Sequence, residues 1–531
     1  MQHLFFDYIY LILIILALVM VANKLRLAYP IVLVLGGLVL SFIPEFSTIT
    51  IEPDLVFFIF LPPLLYDAAW QISWKEFWKW RRVITSFAFP IVIITSCVIA
   101  VVSNAIIPEF SLAFGFLLGG IISPPDAISA STILRQVKAP KMLISICEGE
   151  SLMNDASSLI VFRFALATII TGQFHIKEAT QSFFMVVVMG LLIGVLIGLI
   201  FYGIYKWLPT TSNIEIVMTF VTPYCMYYFA ESFHYSGVLA VVSGGLFLSS
   251  KRQKTLTYMS RIQGENVWTN LVFVLNCFVF LLIGLQLPTV VNQLGEVSLG
   301  KAIGYGIIIS VVIIFTRLIC TMGAALTTRF MSRFITVADS NPGWRIPFIF
   351  GWAGMRGVVS LASALSIPLL INEELPFPHR NLILFITFIV ILVTLVFQGL
   401  TLPWIIKKVY ISDQNIHEDD QEVIIQKKIA KNSLLFLEEK YGEGCLQNVH
   451  LNNLYEKFKI ELSFLTQRIE HSESDEVFAG TNSQTIYLEM LEDQRTLLNT
   501  LNLKDEFDEE LIRKYQSLID IEEFKVRAKM V

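Results

Sequence analysis

The sequence predicts an all-α polytopic membrane protein of about thirteen transmembrane helices. They form two six-helix inverted repeats with broken crossing helices in spans five and twelve, followed by a soluble helical C-terminal tail. Three observations predict this. Of 531 residues, 55% are hydrophobic and only 16% charged, with a mean hydropathy of +0.66, whereas a soluble domain carries roughly 25% charged residues. The charge is also unevenly divided. Before Lys407 there are 23 Lys and Arg and 19 Asp and Glu; from there on there are 16 and 25, so the net −5 averages two unlike parts. Finally, two apolar stretches are interrupted by turn-forming polar sequence. Such a chain is no soluble enzyme, disordered protein or nucleic-acid binder. Residues 1–406 read as the membrane domain and 407–531 as a cytoplasmic helical tail.

The first element, Leu4 to Ala22, lacks a basic leader and a small-residue cleavage site, so it reads as a retained transmembrane helix. Twelve further apolar stretches of roughly spanning length centre on 28–43, 53–70, 83–107, 111–134, 147–171, 181–206, 213–231, 235–249, 267–288, 301–327, 344–371 and 380–406. The connections test this series. Alternate ones carry Lys24 and Arg26; Lys75, Lys79, Arg81 and Arg82; Arg135, Lys138 and Lys141; Lys206; Lys251, Arg252, Lys254 and Arg261; Arg329, Arg333 and Arg345; then Lys407 and Lys408. The intervening ones hold Glu45, Glu52, Glu109, Glu178, Glu231, Glu296, Glu373 and Glu374. Positive loops face the cytoplasm, which puts the N-terminus outside and the tail inside, in a cell (inner) membrane. Trp70, Trp74, Trp78 and Trp80 read as an interfacial aromatic belt.

An odd count suits two inverted repeats joined by one extra helix, here the seventh. The breaks correspond: Ser123-Pro124-Pro125-Asp126 interrupts span five, and Gly351-Trp352-Ala353-Gly354-Met355-Arg356-Gly357 interrupts span twelve. Paired interrupted helices in inverted repeats point to a transporter's binding site, because unwound backbone is tolerated only where it lines a cavity.

Ionisable groups at membrane depth cost a few kcal/mol each and need a partner or a task. Asp67, Asp126, Glu150, Asp155 and Arg356 stand out. Ser151 and Asp155 are four apart on one helical face, with Asn154 at its border. Together they offer hydroxyl, amide and carboxylate oxygens, hard ligands suited to a small monovalent cation. Asp126, placed after two prolines at a helix break, can meet Asp155 near the midplane. Desolvation and like charge favour the neutral form of a carboxylate, so such a group holds a proton or a cation but not both easily. That competition is sufficient chemistry for coupled exchange. Glu150 with Arg356 reads as a buried ion pair bracing the crossed helices. Asp67 reads as a gate or rim carboxylate, and Arg163 and Arg317 as structural or snorkelling. Gly244-Gly245 reads as close helix packing. His234 alone among the histidines is a candidate for membrane depth, and the six cysteines show neither CxxC nor metal spacing.

At these residues the chain resembles a known family. Phe60-Leu61-Pro62-Pro63-Leu64-Leu65-Tyr66-Asp67, Ser123-Pro124-Pro125-Asp126, Glu150-Ser151-Leu152-Met153-Asn154-Asp155 and Gly354-Met355-Arg356-Gly357 are similar to the motifs of monovalent cation:proton antiporters of the NhaP and sodium/hydrogen exchanger type. The resemblance covers about residues 1–406. It implies a homodimer in the lipid bilayer, with a dimerisation scaffold over about 1–70 and 213–288 and an elevator-like core over about 83–171 and 301–406. It implies Na⁺ and H⁺ competing for Asp155, with Ser151, Asn154, Asp126, the Pro125 carbonyl and Asp67 as further ligands. Glu150 and Arg356 match a stabilising ion pair. Asn154 stands where electrogenic relatives place an acid, implying electroneutral one-for-one exchange of cytoplasmic Na⁺ (and Li⁺) for external H⁺. No cofactor is implied. Pro125 replaces a Thr common in relatives, and Asp67 a Glu.

The alternative of the same fold is K⁺/H⁺ exchange. More remote are a channel or an intramembrane aspartyl protease, for which no Gly-x-Gly-Asp partner motif exists. The tail shows helical periodicity near 420–441, 449–470, 485–503 and 506–528, with breaks expected at Gly442-Glu443-Gly444 and Ala479-Gly480-Thr481-Asn482, and an acidic stretch from Asp505 to Glu510. A regulatory role for it rests on position alone.

Overall fold

A computed structural model of the chain describes residues 2–43, 56–72, 74–137, 139–172, 176–292, 294, 297–334, 343–371, 375–409, 418–441, 448–470, 477–502 and 509–528. Glu45, Glu52, Glu296, Glu373, Glu374, Lys138, the break at 442–444 and most of the acidic stretch after Asp505 lie outside them.

Among the described residues, each expected apolar stretch contains helix. In order they are α1 Gln2–Leu25, α2 Tyr29–Leu40, α3 Leu61–Gln71 (entered through a π turn, Val56–Phe60), α4 Trp74–Ser86, and α5 Val92–Ile106, joined to α4 by a π turn at Phe87–Ile91. Next come α6 Leu112–Ile122, α7 Ala127–Gln136, α8 Lys141–Thr171, α9 Ile176–Trp207, α10 Ser212–Ser232, α11 Gly237–Thr255 and α12 Tyr258–Leu285. After the short α13 Leu287–Asn292 follow α14 Leu299–Met331, α15 Arg345–Trp352, α16 Val358–Leu365, α17 Arg380–Val393 and α18 Gly399–Val409, the last two joined by a π turn at Thr394–Gln398. A two-residue antiparallel ribbon pairs Leu370 with Pro376 and Ile371 with Leu375. Among the described residues, seven helices are long and apolar enough to cross a membrane by length and composition.

Local chemistry explains the interruptions. Pro90 lacks the N–H that an α-helix needs, and the chain accommodates it within the Phe87–Ile91 π turn. Pro124 and Pro125 end α6 at Ile122, and α7 restarts with Asp126 as its cap. The second break is shorter than expected: α15 continues through Gly351 and Trp352, so only 353–357 are unwound.

The helices of the membrane unit bury two apolar clusters. The larger joins α1, α2, α4–α8, the C-terminal half of α12, and α14–α18. The smaller joins α3, α10 and α11, with Ile197 of α9 and Trp268 of α12. Two crossings are as close as backbone allows. A Cβ on Gly37 of α2 would meet Gly284 of α12 at 3.1 Å, and one on Gly244 of α11 would lie 2.6 Å from the Gly194 carbonyl of α9. Gly37 and Gly244 both belong to glycine pairs, Gly36-Gly37 and Gly244-Gly245, of the kind that reads as close helix packing in the sequence.

The chain divides into Met1–Ser412 and Asp413–Val531. The boundary falls after 406 because α18 runs on to Val409 through Lys407 and Lys408. In the second unit α19 Glu418–Tyr441 packs on α20 Val449–Glu470, and α21 Val477–Asn502 on α22 Glu509–Ala528. α21 runs unbroken through 479–482, contrary to the expected break there: Gly480 lies in its first turn, where a glycine costs little.

Candidate functional site

The two unwound segments meet each other. The Asp126 backbone N–H donates to the Met355 carbonyl at 2.7 Å. The Asp126 side chain caps α7, accepting from the N–H groups of Ile128 (3.1 Å) and Ser129 (3.3 Å) and from the Ser129 hydroxyl (2.6 Å). The α16 cap, Gly357, lies against the same carboxylate: a Cβ there would sit 2.5 Å from Asp126 Oδ2. Two helix N-termini, each with a partial positive charge, thus converge on Asp126.

The opposite ends of the breaks converge on Arg356. Its Nε donates to the Ile122 carbonyl at 3.0 Å and its Nη2 to the Ser123 carbonyl at 3.4 Å, both at the C-terminus of α6. Its Nη1 donates to the Gly354 carbonyl just beyond α15. Its own N–H donates to Thr394 Oγ1 at 3.1 Å. A fully buried guanidinium thereby satisfies carbonyls that the interrupted helices leave without intrahelical donors.

This arrangement corrects the expected Glu150–Arg356 pair. Glu150 pairs instead with Arg317 of α14. Arg317 Nη2 donates to Glu150 Oε2 at 2.8 Å, and Nη1 lies 2.8 Å from Oε1 without the alignment of a hydrogen bond. Both side chains are buried. The physical reason is that Arg356's donors are engaged by helix-end carbonyls, which leaves Arg317 to supply the countercharge. The third Arg317 nitrogen, Nε, donates to the Phe350 carbonyl at 3.4 Å. The Arg317 stem fills the space beside Gly354, where a Cβ would collide with it. No sequence signal assigns the Glu150 partner to Arg317 and not to Arg356, since both are lone basic residues in apolar spans, one in a helix and one at a break. Arg163 has a structural partner too: its Nη2 donates to both Glu231 oxygens, at 2.9 and 2.7 Å.

Helix α8 brings its polar face to this crossing. The Ser151 hydroxyl accepts from the Ala127 N–H at 3.3 Å, and Asn154 Nδ2 donates to the Pro125 carbonyl at 3.3 Å. That bond orients the amide and leaves Asn154 Oδ1 buried without a hydrogen bond among the described residues. Asp155, one residue on, is 6% exposed and within electrostatic range of Asp126. Its carboxylate makes no hydrogen bond or ion pair among the described residues. The structure thus gathers Pro125, Asp126, Ser151, Asn154 and Asp155 around one crossing. Ser129 joins them unforeseen, although its position three residues after Asp126 is the usual partner position of a capping acid.

Asp67 stands apart. Its carboxylate accepts from Gln71 Nε2 at 2.7 Å, and none of its hydrogen bonds reaches the crossing. It lines a cavity of about 270 Å³ with Trp70, Glu215, Arg252, Glu265 and Trp268, among others. Glu215, missed from sequence, is buried there and accepts from Thr210 Oγ1 at 2.8 Å and from the Thr257 N–H at 3.1 Å, tying two helix starts together. His234 lies just past the end of α10 with φ of 59°.

Comparison with known proteins places this geometry in context. The family described as sodium/hydrogen exchanger, transmembrane, matches residues 10–408. The chain is 31% identical over 414 residues to the sodium, potassium, lithium and rubidium/H(+) antiporter of Bacillus subtilis (strain 168), covering 75% of this chain and 61% of that protein. It therefore spans less than two thirds of that relative's length. It is 30% identical over 415 residues, 75% of each chain, to the uncharacterized Na(+)/H(+) exchanger YjcE of Escherichia coli (strain K12). The fold is similar to that of the sodium proton antiporter MjNhaP1 from Methanocaldococcus jannaschii. The TM-score is 0.56 at 18% identity, over 76% of this chain and 99% of that one.

Proposed function

Because the chain is a multi-pass membrane protein that belongs to the sodium/hydrogen exchanger family, we propose that it is a secondary active transporter exchanging cytoplasmic Na⁺ (and Li⁺) for external H⁺. The observation that carries this reading is Asp155. It is buried beside two broken helices, without a partner among the described residues, and next to the unpartnered Asn154 Oδ1.

The mechanism follows from the cost of an uncompensated charge. A bare carboxylate at membrane depth costs about 3 kcal/mol, which slows its crossing by more than roughly a hundredfold. Bound H⁺ or Na⁺ removes that charge, so the core crosses only when loaded. Asp155, Asp126, the Ser151 hydroxyl, the Pro125 carbonyl and Asn154 Oδ1 form the cation's oxygen shell, and Asp67 approaches from the other side. With asparagine at 154, Asp155 alone takes the proton, and one charge moves each way. Exchange is then electroneutral.

Thirteen spans in two inverted repeats fit this scheme, with the N-terminus outside and the 407–531 tail in the cytoplasm of a cell (inner) membrane. The scaffold over 1–70 and 213–288 dimerises with a second copy, and the core over 83–171 and 301–406 moves. Glu150 with Arg317, and Arg356 on the helix ends, keep that core rigid.

The test is proton flux in everted vesicles or proteoliposomes, with Na⁺, Li⁺ and K⁺ added separately, for wild type and Asp155→Asn. Full exchange retained by Asp155→Asn would refute the mechanism. K⁺/H⁺ exchange is the second reading, favoured by the cation range in the name of the Bacillus relative and by an oxygen shell whose backbone member does not set cation size. A response to K⁺ at least equal to that to Na⁺ would establish it.

A further inference from the structure

A cavity of about 1070 Å³ opens where α4 and the Phe87–Ile91 turn face the C-terminal turns of α14 and the start of α15. Its interior is mostly apolar, including Phe87, Pro90, Met142, Ile146 and Phe350. Lys79, Arg81 and Arg82 line it, Thr327 and Thr328 add hydroxyls, and no carboxylate contributes. The Arg81 guanidinium lies 4.5 Å from the Trp78 ring centre and the Lys79 ammonium 5.3 Å from that of Trp80. Among the described residues neither cation has a carboxylate partner. Trp74 and Trp78 are exposed and stacked at 6.0 Å, as expected of side chains at a membrane interface.

An apolar groove whose charged lining is wholly basic, at the interface, has the chemistry of an anionic glycerophospholipid: acyl chain inside, phosphate among the cations. A zwitterionic headgroup would bring its ammonium against the same three cations. We propose that an anionic phospholipid of the cytoplasmic leaflet binds in this groove and sets the rate of transport.

The second half of the proposal rests on a short connection. The carbonyl of Ala88, within the π turn, accepts from the Ser157 hydroxyl at 2.5 Å, and that hydroxyl also lies 2.8 Å from the Asn154 carbonyl. Met142 and Ile146, in the first turns of the same α8, line the groove directly. A lipid seated there touches both the turn that holds Ser157 and the helix that carries Asn154 and Asp155. Binding itself is independent of which ion is carried; the rate effect rests on the exchange proposed above.

The experiment uses the full chain in phosphatidylcholine vesicles with and without phosphatidylglycerol. Lipid retained after extraction is identified by mass spectrometry. Each cation near an anionic headgroup strengthens binding about fivefold, so K79Q/R81Q is expected to lose roughly 25-fold in retained phosphatidylglycerol. A324W, which fills the groove but keeps the cations, is expected to lose the lipid as well, with folding checked by thermal melting. Wild-type exchange should rise with phosphatidylglycerol and that of K79Q/R81Q should not. Equal retention by wild type and K79Q/R81Q would overturn the site. So would a photo-cross-linker at position 324 capturing a tail peptide of this chain instead of lipid. A wild-type exchange rate indifferent to phosphatidylglycerol, with retention intact, would overturn the rate effect alone.

Discussion

Glu150 of α8 and Arg317 of α14 are 167 residues apart in the chain and 2.8 Å apart in the fold, both nearly inaccessible to solvent. Removing one member of a buried pair leaves the other charge uncompensated, at a cost of about 3–5 kcal/mol. Arg317→Gln and Glu150→Gln should each lower the thermal unfolding temperature in detergent, and the double variant should lose much less than their sum. A cycle between Glu150 and Arg356 should show a smaller coupling. The reverse order would restore the pairing expected from sequence.

Gly357 touches the Asp126 carboxylate, with no room for a methyl group between them. Gly357→Ala should displace Asp126 from its cap, which is worth about 1 kcal/mol, and reduce exchange at least tenfold, as read by proton flux. Gly304→Ala, in α14 with nothing within 4 Å of the added methyl, is the control. It should leave flux unchanged.

Asn154 donates to the Pro125 carbonyl, a bond that an ionised carboxylate cannot make. Asn154→Asp should cost about 1–3 kcal/mol in stability. It should also make exchange sensitive to membrane potential by adding a second titrating oxygen pair beside Asp155. Valinomycin-clamped proteoliposomes separate the outcomes: flux indifferent to the clamp in both proteins would remove Asn154 from any part in stoichiometry.

In the tail, Arg527 and then Arg495 hold the Glu523 carboxyl below its usual range, and Arg495 also bonds Asp520 at 2.6 Å, tying α21 to α22. A depressed carboxyl stabilises the folded form above its unfolded value, near pH 4.3. The contribution is lost as pH falls through the lower folded value. Amide protection in α21 and α22 of the full chain, corrected for the intrinsic exchange rate, should therefore fall on acidification below about pH 4. Glu523→Gln should flatten that dependence; an unaltered profile would assign the acid response to other groups.

Much of the candidate site is legible in the chain itself. Ser151 and Asp155 share a face because they are four residues apart, and Asp126 caps a helix because two prolines stop the one before it. Gly351 and Trp352 mislead, since glycine in an apolar helix signals a break or close packing equally well. Here it is packing: a Cβ on Gly351 would meet Thr321 and Leu318 of α14.

By itself the sequence determined the membrane class, the apolar segments, the two interruptions and the buried charges of the crossing, though not Glu215. Each follows from local composition and periodicity, and an ionisable residue in an apolar run is conspicuous whatever surrounds it. Only the tertiary structure decided who partners whom: Glu150 with Arg317, Arg356 with the carbonyl ends of α6 and α15, Ser157 with Ala88, and Asp67 with Gln71. Those choices depend on the directions in which donors and lone pairs point after helices far apart in sequence have packed. Two arginines equivalent in composition are told apart only by the carbonyls that the broken helices present to one of them.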